Sequence, residues 1–203
     1  MSSVPTRDVI VIGGSAGAVE SLVAVVSRLP ADLPASVLIA LHVSPWQRSE
    51  LPAILTRAGR LPAEHPAHLQ PLEHGRIYVA PPDHHLIMDD GRAYVWRGPK
   101  ENQQRPAINA LFRSAAVTYG VRVVGIVLSG ALDDGATGLW WIKRHGGVAI
   151  IQDPADARFP DMPSAAIATV QADYVLPSAA IPELLIRLVT PAAEPPTASA
   201  NLR

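Results

Sequence analysis

Apolar residues in this chain form short continuous runs that alternate with segments in which they recur every three or four positions. The continuous runs predict buried strands at residues 8–12, 37–41, 76–80, 121–128 and 148–151. The spaced segments predict helices from residue 16 onward and over residues 44–58, 106–119, 136–145, 162–170 and 181–189. A further short strand is expected at residues 174–176. Fully apolar strands alternating with helices predict an α/β fold, a doubly wound, mostly parallel, Rossmann-like sheet with helices on both faces.

Turn-forming residues add detail to this outline. Asp89, Asp90 and Gly91 separate two short apolar segments and predict a β-hairpin over residues 85–96, which we expect as an antiparallel edge of the sheet. Residues 59–76 are rich in Pro, His and Gly and predict a surface loop. The pattern gives one domain over residues 1–190, and the Pro-, Ala- and Ser-rich residues 191–203 predict a disordered tail.

Composition excludes several classes of protein. The 203 residues are 48% hydrophobic and 17% charged, which is typical of a globular protein. The formal net charge of −1 and the lack of a basic block argue against nucleic-acid binding. The absence of cysteine excludes disulfides, thiolate chemistry and Cys-ligated zinc. No apolar run approaches the roughly 20 residues of a membrane span and the first residues, MSSVPTRD, contain no apolar h-region, so a cytoplasmic protein without membrane insertion is expected.

The first strand leads into a glycine-rich turn that contains a serine. Ser15 lies between Gly13 and Gly17 in a G-x-S-x-G pattern at a strand–turn–helix junction, the context of a nucleophile elbow. The helix that follows presents free N–H groups toward developing negative charge. A plain βα turn of a nucleotide-binding fold is the alternative interpretation. Against it, Ser15 occupies the second glycine position of the G-x-G-x-x-G fingerprint, and no lysine follows as in a P-loop.

Two further polar residues follow predicted strands. His42 comes after residues 37–41, and Asp134 lies in the glycine-rich turn after residues 121–128. A serine hydroxyl needs a base within hydrogen-bond reach, and an imidazole base needs a carboxylate to fix its tautomer. Ser15, His42 and Asp134 therefore form a candidate catalytic triad, because carboxyl ends of parallel strands meet at one edge of a sheet. Alternatively, His42 is an ordinary hydrogen-bonded histidine and Asp134 is the N-cap of the following helix.

The neighbouring His84 and His85, with Asp83, look like metal ligands but suit that role poorly. Consecutive residues of a strand point to opposite faces of a sheet. A metal site is therefore not favoured here.

Six separated motifs, in order, resemble the catalytic domain of the chemotaxis protein-glutamate methylesterases (CheB). They are VIGGSAGAVESL, LHVSP, GRIYVAPPDHHL, RPAINALFRSAA, VLSGALDDGATGL and QDPADARFPDMPSAAI, and the resemblance extends from about residue 7 to 190. It implies that Ser15, His42 and Asp134 are the catalytic serine, histidine and aspartate.

The resemblance also implies a reaction and its partners. The expected activity is hydrolysis of glutamate 5-methyl esters on the cytoplasmic helices of chemoreceptors, releasing methanol, together with deamidation of receptor glutamines. No cofactor or metal is expected. The backbone N–H groups of Ala16 and Ala131 are the candidate oxyanion donors, and Arg105 and Met162 are predicted to contact the substrate. Since the first strand starts near the N-terminus, no receiver domain is expected, and control would come from a separate response regulator or methyltransferase, if activity is not constitutive.

The chain departs from the usual pattern of this family beside the predicted nucleophile. Ala16 and Ala18 stand where the family often has Thr and Gly, and Leu132 stands where it usually has Gly. The RPSxD-like stretch has Ala107 and Asn109, so it lacks a hydroxyl and a carboxylate. These changes leave two alternatives: a serine esterase or amidase with a different substrate, and a receptor-docking module with reduced activity.

Overall fold

The computed structural model describes residues 7–46 and 48–190. Its strands, in chain order, are β1 (Val9–Gly14), β2 (Ser36–Leu41), β3 (Ala63–Glu64), β4 (Gln70–Pro71), β5 (Arg76–Val79), β6 (His85–Asp89), β7 (Arg92–Trp96), β8 (Val123–Val127), β9 (Val148–Gln152) and β10 (Tyr174–Leu176). Its helices are α1 (Ala18–Val26), α2 (Leu51–Ala58), α3 (Ile108–Tyr119), α4 (Ala136–Arg144), α5 (Asp161–Thr169) and α6 (Ile181–Val189).

A seven-stranded sheet forms the centre of the molecule, in the order β10-β9-β8-β1-β2-β5-β3. All of its neighbouring strands pair in parallel. The chain first builds outward from β1 through β2 and then returns to the other side of β1 with β8. The carboxyl ends of β1 and β8 therefore form a topological switch point, where open α/β sheets bind their ligands.

Both faces of this sheet are covered, because side chains alternate along strands that are apolar throughout. Ile10 and Ile12 of β1 join one core with residues of α1, α2 and α6. Val9 and Val11 join a second core with residues of α3, α4 and α5. The predicted doubly wound α/β fold is confirmed.

The predicted hairpin is present, but it lies in a second sheet. Strands β6 and β7 pair antiparallel, with Leu86 opposite Val95 and Met88 opposite Ala93. β4 joins them in a three-stranded sheet of order β4-β7-β6, separate from the parallel sheet, whose edge strands are β10 and β3. Leu86, Met88 and Ala93 are buried in the core that also contains α3, and this apolar face holds the hairpin against the helix. The predicted loop over residues 59–76 contains the short strands β3 and β4.

Several predicted boundaries shift by a few residues. α1 begins at Ala18, because Gly17 adopts a left-handed conformation with φ of 72° that interrupts the helical backbone. α2 begins at Leu51. No helix within the described ranges is long and apolar enough to cross a membrane. The predicted tail, 191–203, lies outside the described residues.

Candidate active site

The three predicted catalytic residues follow the carboxyl ends of adjacent central strands. Ser15 comes directly after β1, and its backbone N–H donates to the Ser129 carbonyl after β8 at 3.0 Å. His42 comes directly after β2, and its backbone N–H donates to the Gly14 carbonyl at 3.2 Å. These main-chain bonds fix the exits of β1, β2 and β8 to one another, so the side chains that follow share one edge of the sheet.

Asp134 and His42 form a direct side-chain pair. The imidazole Nε2 lies 2.8 Å from Asp134 Oδ2, and the two side chains are 10% and 2% exposed. Oδ2 also accepts the Ile108 N–H at 2.7 Å, and Oδ1 accepts the Asn109 N–H at 3.0 Å. Asp134 therefore caps a helix as the alternative interpretation held, but that helix is α3 and not the α4 that follows it in sequence. The same carboxylate orients His42.

The pairing of Nε2 with a carboxylate determines which imidazole nitrogen is free to act. A neutral imidazole that donates from Nε2 to Asp134 carries its lone pair on Nδ1. Within residues 7–46 and 48–190, the half-buried Ser15 hydroxyl has no hydrogen-bond partner. Nδ1 of His42 is therefore the atom able to accept the Ser15 proton once the two groups approach to about 3 Å.

The elbow turn fixes the backbone beside Ser15. The Ser15 carbonyl accepts the Ala18 N–H at 3.1 Å, and the Ala16 carbonyl accepts the buried Ser129 hydroxyl at 2.8 Å. Because peptide units are planar, these bonds also fix the directions of the adjoining N–H groups. In the part of the chain that the structure describes, the Ala16 N–H donates to no acceptor. It is therefore available to a developing oxyanion.

The turn after β8 lies against the elbow because Gly130 has no side chain. A Cβ on Gly130 would lie 2.9 Å from the Ser15 Cβ and 2.8 Å from the Met162 sulfur, so only glycine permits this approach. The Ala131 N–H, like that of Ala16, has no acceptor among the described atoms. Leu132 follows with φ of 66° and is 70% exposed. The turn thus supplies a second available N–H group and an apolar side chain at its rim.

The two residues predicted to contact substrate lie in other surroundings. Met162 is fully buried beneath Gly130, so it supports the turn and cannot touch a substrate directly. The Arg105 guanidinium donates from Nε to Asp83 Oδ1 at 2.9 Å and from Nη1 to the Gly98 carbonyl at 2.6 Å. Its hydrogen bond to Asp83 lowers the pKa of that carboxyl below its ordinary value. Arg105 therefore braces the segment before α3, and its contact with the substrate stays a prediction.

Sequence reasoning missed polar residues that hold the site together. Asn109 donates to Asp134 through its backbone and accepts two N–H groups of the α4 first turn through its side chain. Gln152, at the end of β9, accepts the Ser129 N–H at 2.8 Å. Asn102 Nδ2 lies 3.5 Å from Asp134 Oδ1. Each partner is at least 23 residues away along the chain in these contacts, so no local pattern signals them.

The histidines near β6 have structural surroundings. His85 is buried; its Nε2 lies 2.8 Å from the Pro99 carbonyl, and its Nδ1 accepts the Ala107 N–H. His84 Nδ1 lies 2.9 Å from the Pro82 carbonyl. No cluster of His, Asp and Glu within the described ranges could hold a metal ion.

The carboxyl edge of this α/β sheet carries an elbow serine, a histidine and a buried carboxylate. These are the residue types of a serine hydrolase site. The sequence pattern of the CheB methylesterase family matches residues 10–185, and the chain belongs to that family.

Named relatives and a solved structure agree with this assignment. The chain is 35% identical over 182 residues to a Leptospira interrogans protein named provisionally as a protein-glutamate methylesterase/protein-glutamine glutaminase, covering 89% of this chain and 94% of that protein. It is 37% identical to a protein-glutamate methylesterase/protein-glutamine glutaminase 2 of Anaeromyxobacter dehalogenans, covering 89% of this chain and 53% of that longer protein. The crystal structure of the Thermotoga maritima CheB methylesterase catalytic domain superposes with a TM-score of 0.86 at 31% identity, covering 91% of this chain and all of that one.

Proposed function

We propose that this protein is a serine hydrolase that removes methyl esters from glutamate residues of chemoreceptors and releases methanol. The observation that carries the proposal is the His42–Asp134 pair, 2.8 Å apart, at the sheet edge that also bears Ser15. Membership of the CheB methylesterase family supports the substrate class. The names of the relatives support a second activity, the deamidation of receptor glutamines to glutamates.

Acylation begins with the Ser15 hydroxyl. His42 Nδ1 takes its proton as the oxygen attacks the ester carbonyl carbon, and Asp134 stabilises the imidazolium that forms. A tetrahedral intermediate develops negative charge on the former carbonyl oxygen. The N–H groups of Ala16 and Ala131 are our candidates for the donors that stabilise this charge.

Collapse of the intermediate breaks the bond to the methoxy oxygen, which leaves as methanol after accepting the proton from His42. The glutamyl group is then bound to Ser15 as an ester. Water, deprotonated by the same Nδ1, attacks this ester and returns the free glutamate side chain and the Ser15 hydroxyl. A glutamine side chain would follow the same steps and release ammonia in place of methanol.

The substrate we propose is a methylated glutamate on a cytoplasmic helix of a chemoreceptor. This substrate requires a cytoplasmic enzyme, and an ester on an exposed helix surface suits a site that opens at the edge of a sheet. Neither a cofactor nor a metal takes part in these steps. A separate response regulator or a methyltransferase is the partner class that would control the activity.

A comparison of two esters tests the substrate assignment. The purified chain is assayed for methanol release from a chemoreceptor cytoplasmic fragment carrying radiolabelled methyl esters, and for hydrolysis of p-nitrophenyl acetate. We expect kcat/KM to be higher for the receptor. Efficient aryl-ester hydrolysis without methanol release would indicate an esterase of different substrate, and no hydrolysis of either ester would indicate a receptor-docking module.

A further inference from the structure

Helices α3 and α4 begin side by side, and neither is capped by its own N-terminal side chain. The N-cap residues are Ala107 for α3 and Gly135 for α4, and neither makes a side-chain capping bond. The first N–H groups of a helix need acceptors from elsewhere when they are buried. Here each helix obtains its acceptor from the other.

The exchange of caps is reciprocal. Asp134, just before α4, accepts the Ile108 and Asn109 N–H groups at the start of α3 at 2.7 and 3.0 Å. Asn109, at the start of α3, accepts the Gly135 and Gly138 N–H groups of α4 at its side-chain Oδ1, at 3.0 and 2.6 Å. Asn109 and Asp134 are 5% and 2% exposed, so water does not compete for these bonds.

We propose that Asn109 is a positioning residue for Asp134. Its backbone N–H holds the carboxylate oxygen Oδ1, and its side-chain oxygen holds the N–H of the peptide that joins Asp134 to Gly135. Asn109 thus fixes both ends of Asp134, and with them the oxygen that lies 2.8 Å from His42 Nε2. The expected effect of Asn109 on kcat rests on the proposed function, whereas its effect on the position of Asp134 does not.

A pair of variants separates the acceptor from the size of the side chain. Asn109→Asp keeps an oxygen for Gly135 and Gly138, and the N-terminal end of α4 favours its negative charge. Asn109→Leu keeps the number and branching of the side-chain heavy atoms but offers no acceptor, so the Asp134–Gly135 peptide is released. Phe112→Leu is the matched control, because it removes buried volume from α3 without removing any hydrogen bond to Asp134.

The kinetic test measures kcat and KM for methanol release from radiolabelled methylated receptor fragment. Since a displacement of a catalytic group of about 1 Å costs about 100-fold in rate, Asn109→Leu should lower kcat by roughly 10- to 100-fold with KM changed less than about threefold. Asn109→Asp should remain within about threefold of the parent in kcat, and so should Phe112→Leu despite its lower melting temperature. A folded Asn109→Leu protein with parental kcat would overturn the proposal.

A spectroscopic measurement decides the point independently of activity. The His42 Nε2 proton, bonded to Asp134, should give a protected downfield resonance in the parent and in Asn109→Asp, and this resonance should shift or disappear in Asn109→Leu. An unchanged resonance in Asn109→Leu would show that Asn109 only caps α4. If Ser15→Ala retained full activity, the proposed function would fail, and the resonance would still decide the role of Asn109.

Discussion

At the residue scale, the orientation of one imidazole determines the chemistry of the site. His42 directs Nε2 to Asp134, so in the proposed mechanism Nδ1 is the nitrogen that acts as the base. The carboxylate is itself fixed by two backbone N–H groups of α3. The pair is therefore ordered before a substrate arrives, which is the condition for efficient proton transfer from a serine.

Leu132, two residues before Asp134, has an unfavourable backbone conformation. Its φ of 66° lies in the left-handed region, which costs a residue with a Cβ roughly 1–2 kcal/mol relative to glycine. Its side chain is 70% exposed, so burial of the side chain offsets little of this conformational cost. Leu132→Gly should raise the melting temperature by roughly 2–4 °C for each kcal/mol of relieved strain, measured by scanning calorimetry.

Leu132→Ala is the matched control, since it shortens the side chain but keeps the Cβ. It should leave the melting temperature near that of the parent. If the alanine variant gained as much stability as the glycine variant, the exposed side chain and not the backbone would be the source of the cost.

At the scale of elements, one buried hydroxyl joins two turns of the site. Ser129 donates to the Ala16 carbonyl at 2.8 Å and accepts the Phe159 N–H at 3.0 Å. Ser129→Ala would remove both of these part-buried bonds, at a cost of about 0.5–1.5 kcal/mol for each. We expect a lower free energy of unfolding in urea and a lower kcat, because the Ala16 peptide loses its restraint.

The control for this prediction is Ser164→Ala, a substitution at an exposed position of α5. It should leave both quantities unchanged. A Ser129→Ala protein with parental kcat would mean that the elbow holds its shape without this hydroxyl.

The ion pair before α3 predicts a pH dependence of stability. The hydrogen bond from Arg105 lowers the pKa of Asp83 below its ordinary value, so the unfolded state binds the proton more readily than the folded state does. The contribution of the pair is complete above the unfolded pKa and disappears as pH falls through the folded pKa. Asp83→Asn should therefore destabilise the protein at about pH 7, and its difference from the parent should shrink toward about pH 2.

Urea denaturation at both pH values checks this prediction, with Asp32→Asn as the control at an exposed position. The control should show little difference from the parent at neutral pH. If Asp83→Asn destabilised the protein equally at about pH 7 and about pH 2, the ionised Asp83 carboxylate would not be the source of the stability difference.

The sequence predicts those elements whose signal is local. The apolar runs of the central strands and the Gly13–Gly17 turn indicate the sheet and the position of Ser15, because strand periodicity and turn chemistry act over a few residues. Contacts across the sheet edge have no such signal. The burial of Met162, the pairing of Arg105 with Asp83 and the capping of α3 by Asp134 depend on packing between distant segments.

At the scale of the whole molecule, the strand order brings the site together. β1 lies between β2 and β8, so the exits that carry Ser15, His42 and Asp134 are adjacent, although Ser15 and Asp134 are 119 positions apart in the sequence. Both faces of the sheet are covered by helices and closely packed. The site is therefore built at the ends of buried strands, and precise positioning favours such regular elements over loops.

In the proposed mechanism Ser15 is the nucleophile of a receptor methylesterase, and methanol release by Ser15→Ala tests this role most directly. Radiolabelled methanol is measured from methylated receptor fragment with the parent protein, Ser15→Ala and the control Ser27→Ala, an exposed serine at the end of α1. We predict release by the parent and by Ser27→Ala, and a fall of at least about 1,000-fold for Ser15→Ala, since each member of a triad contributes on this order. Release by Ser15→Ala at the rate of the parent would contradict the account.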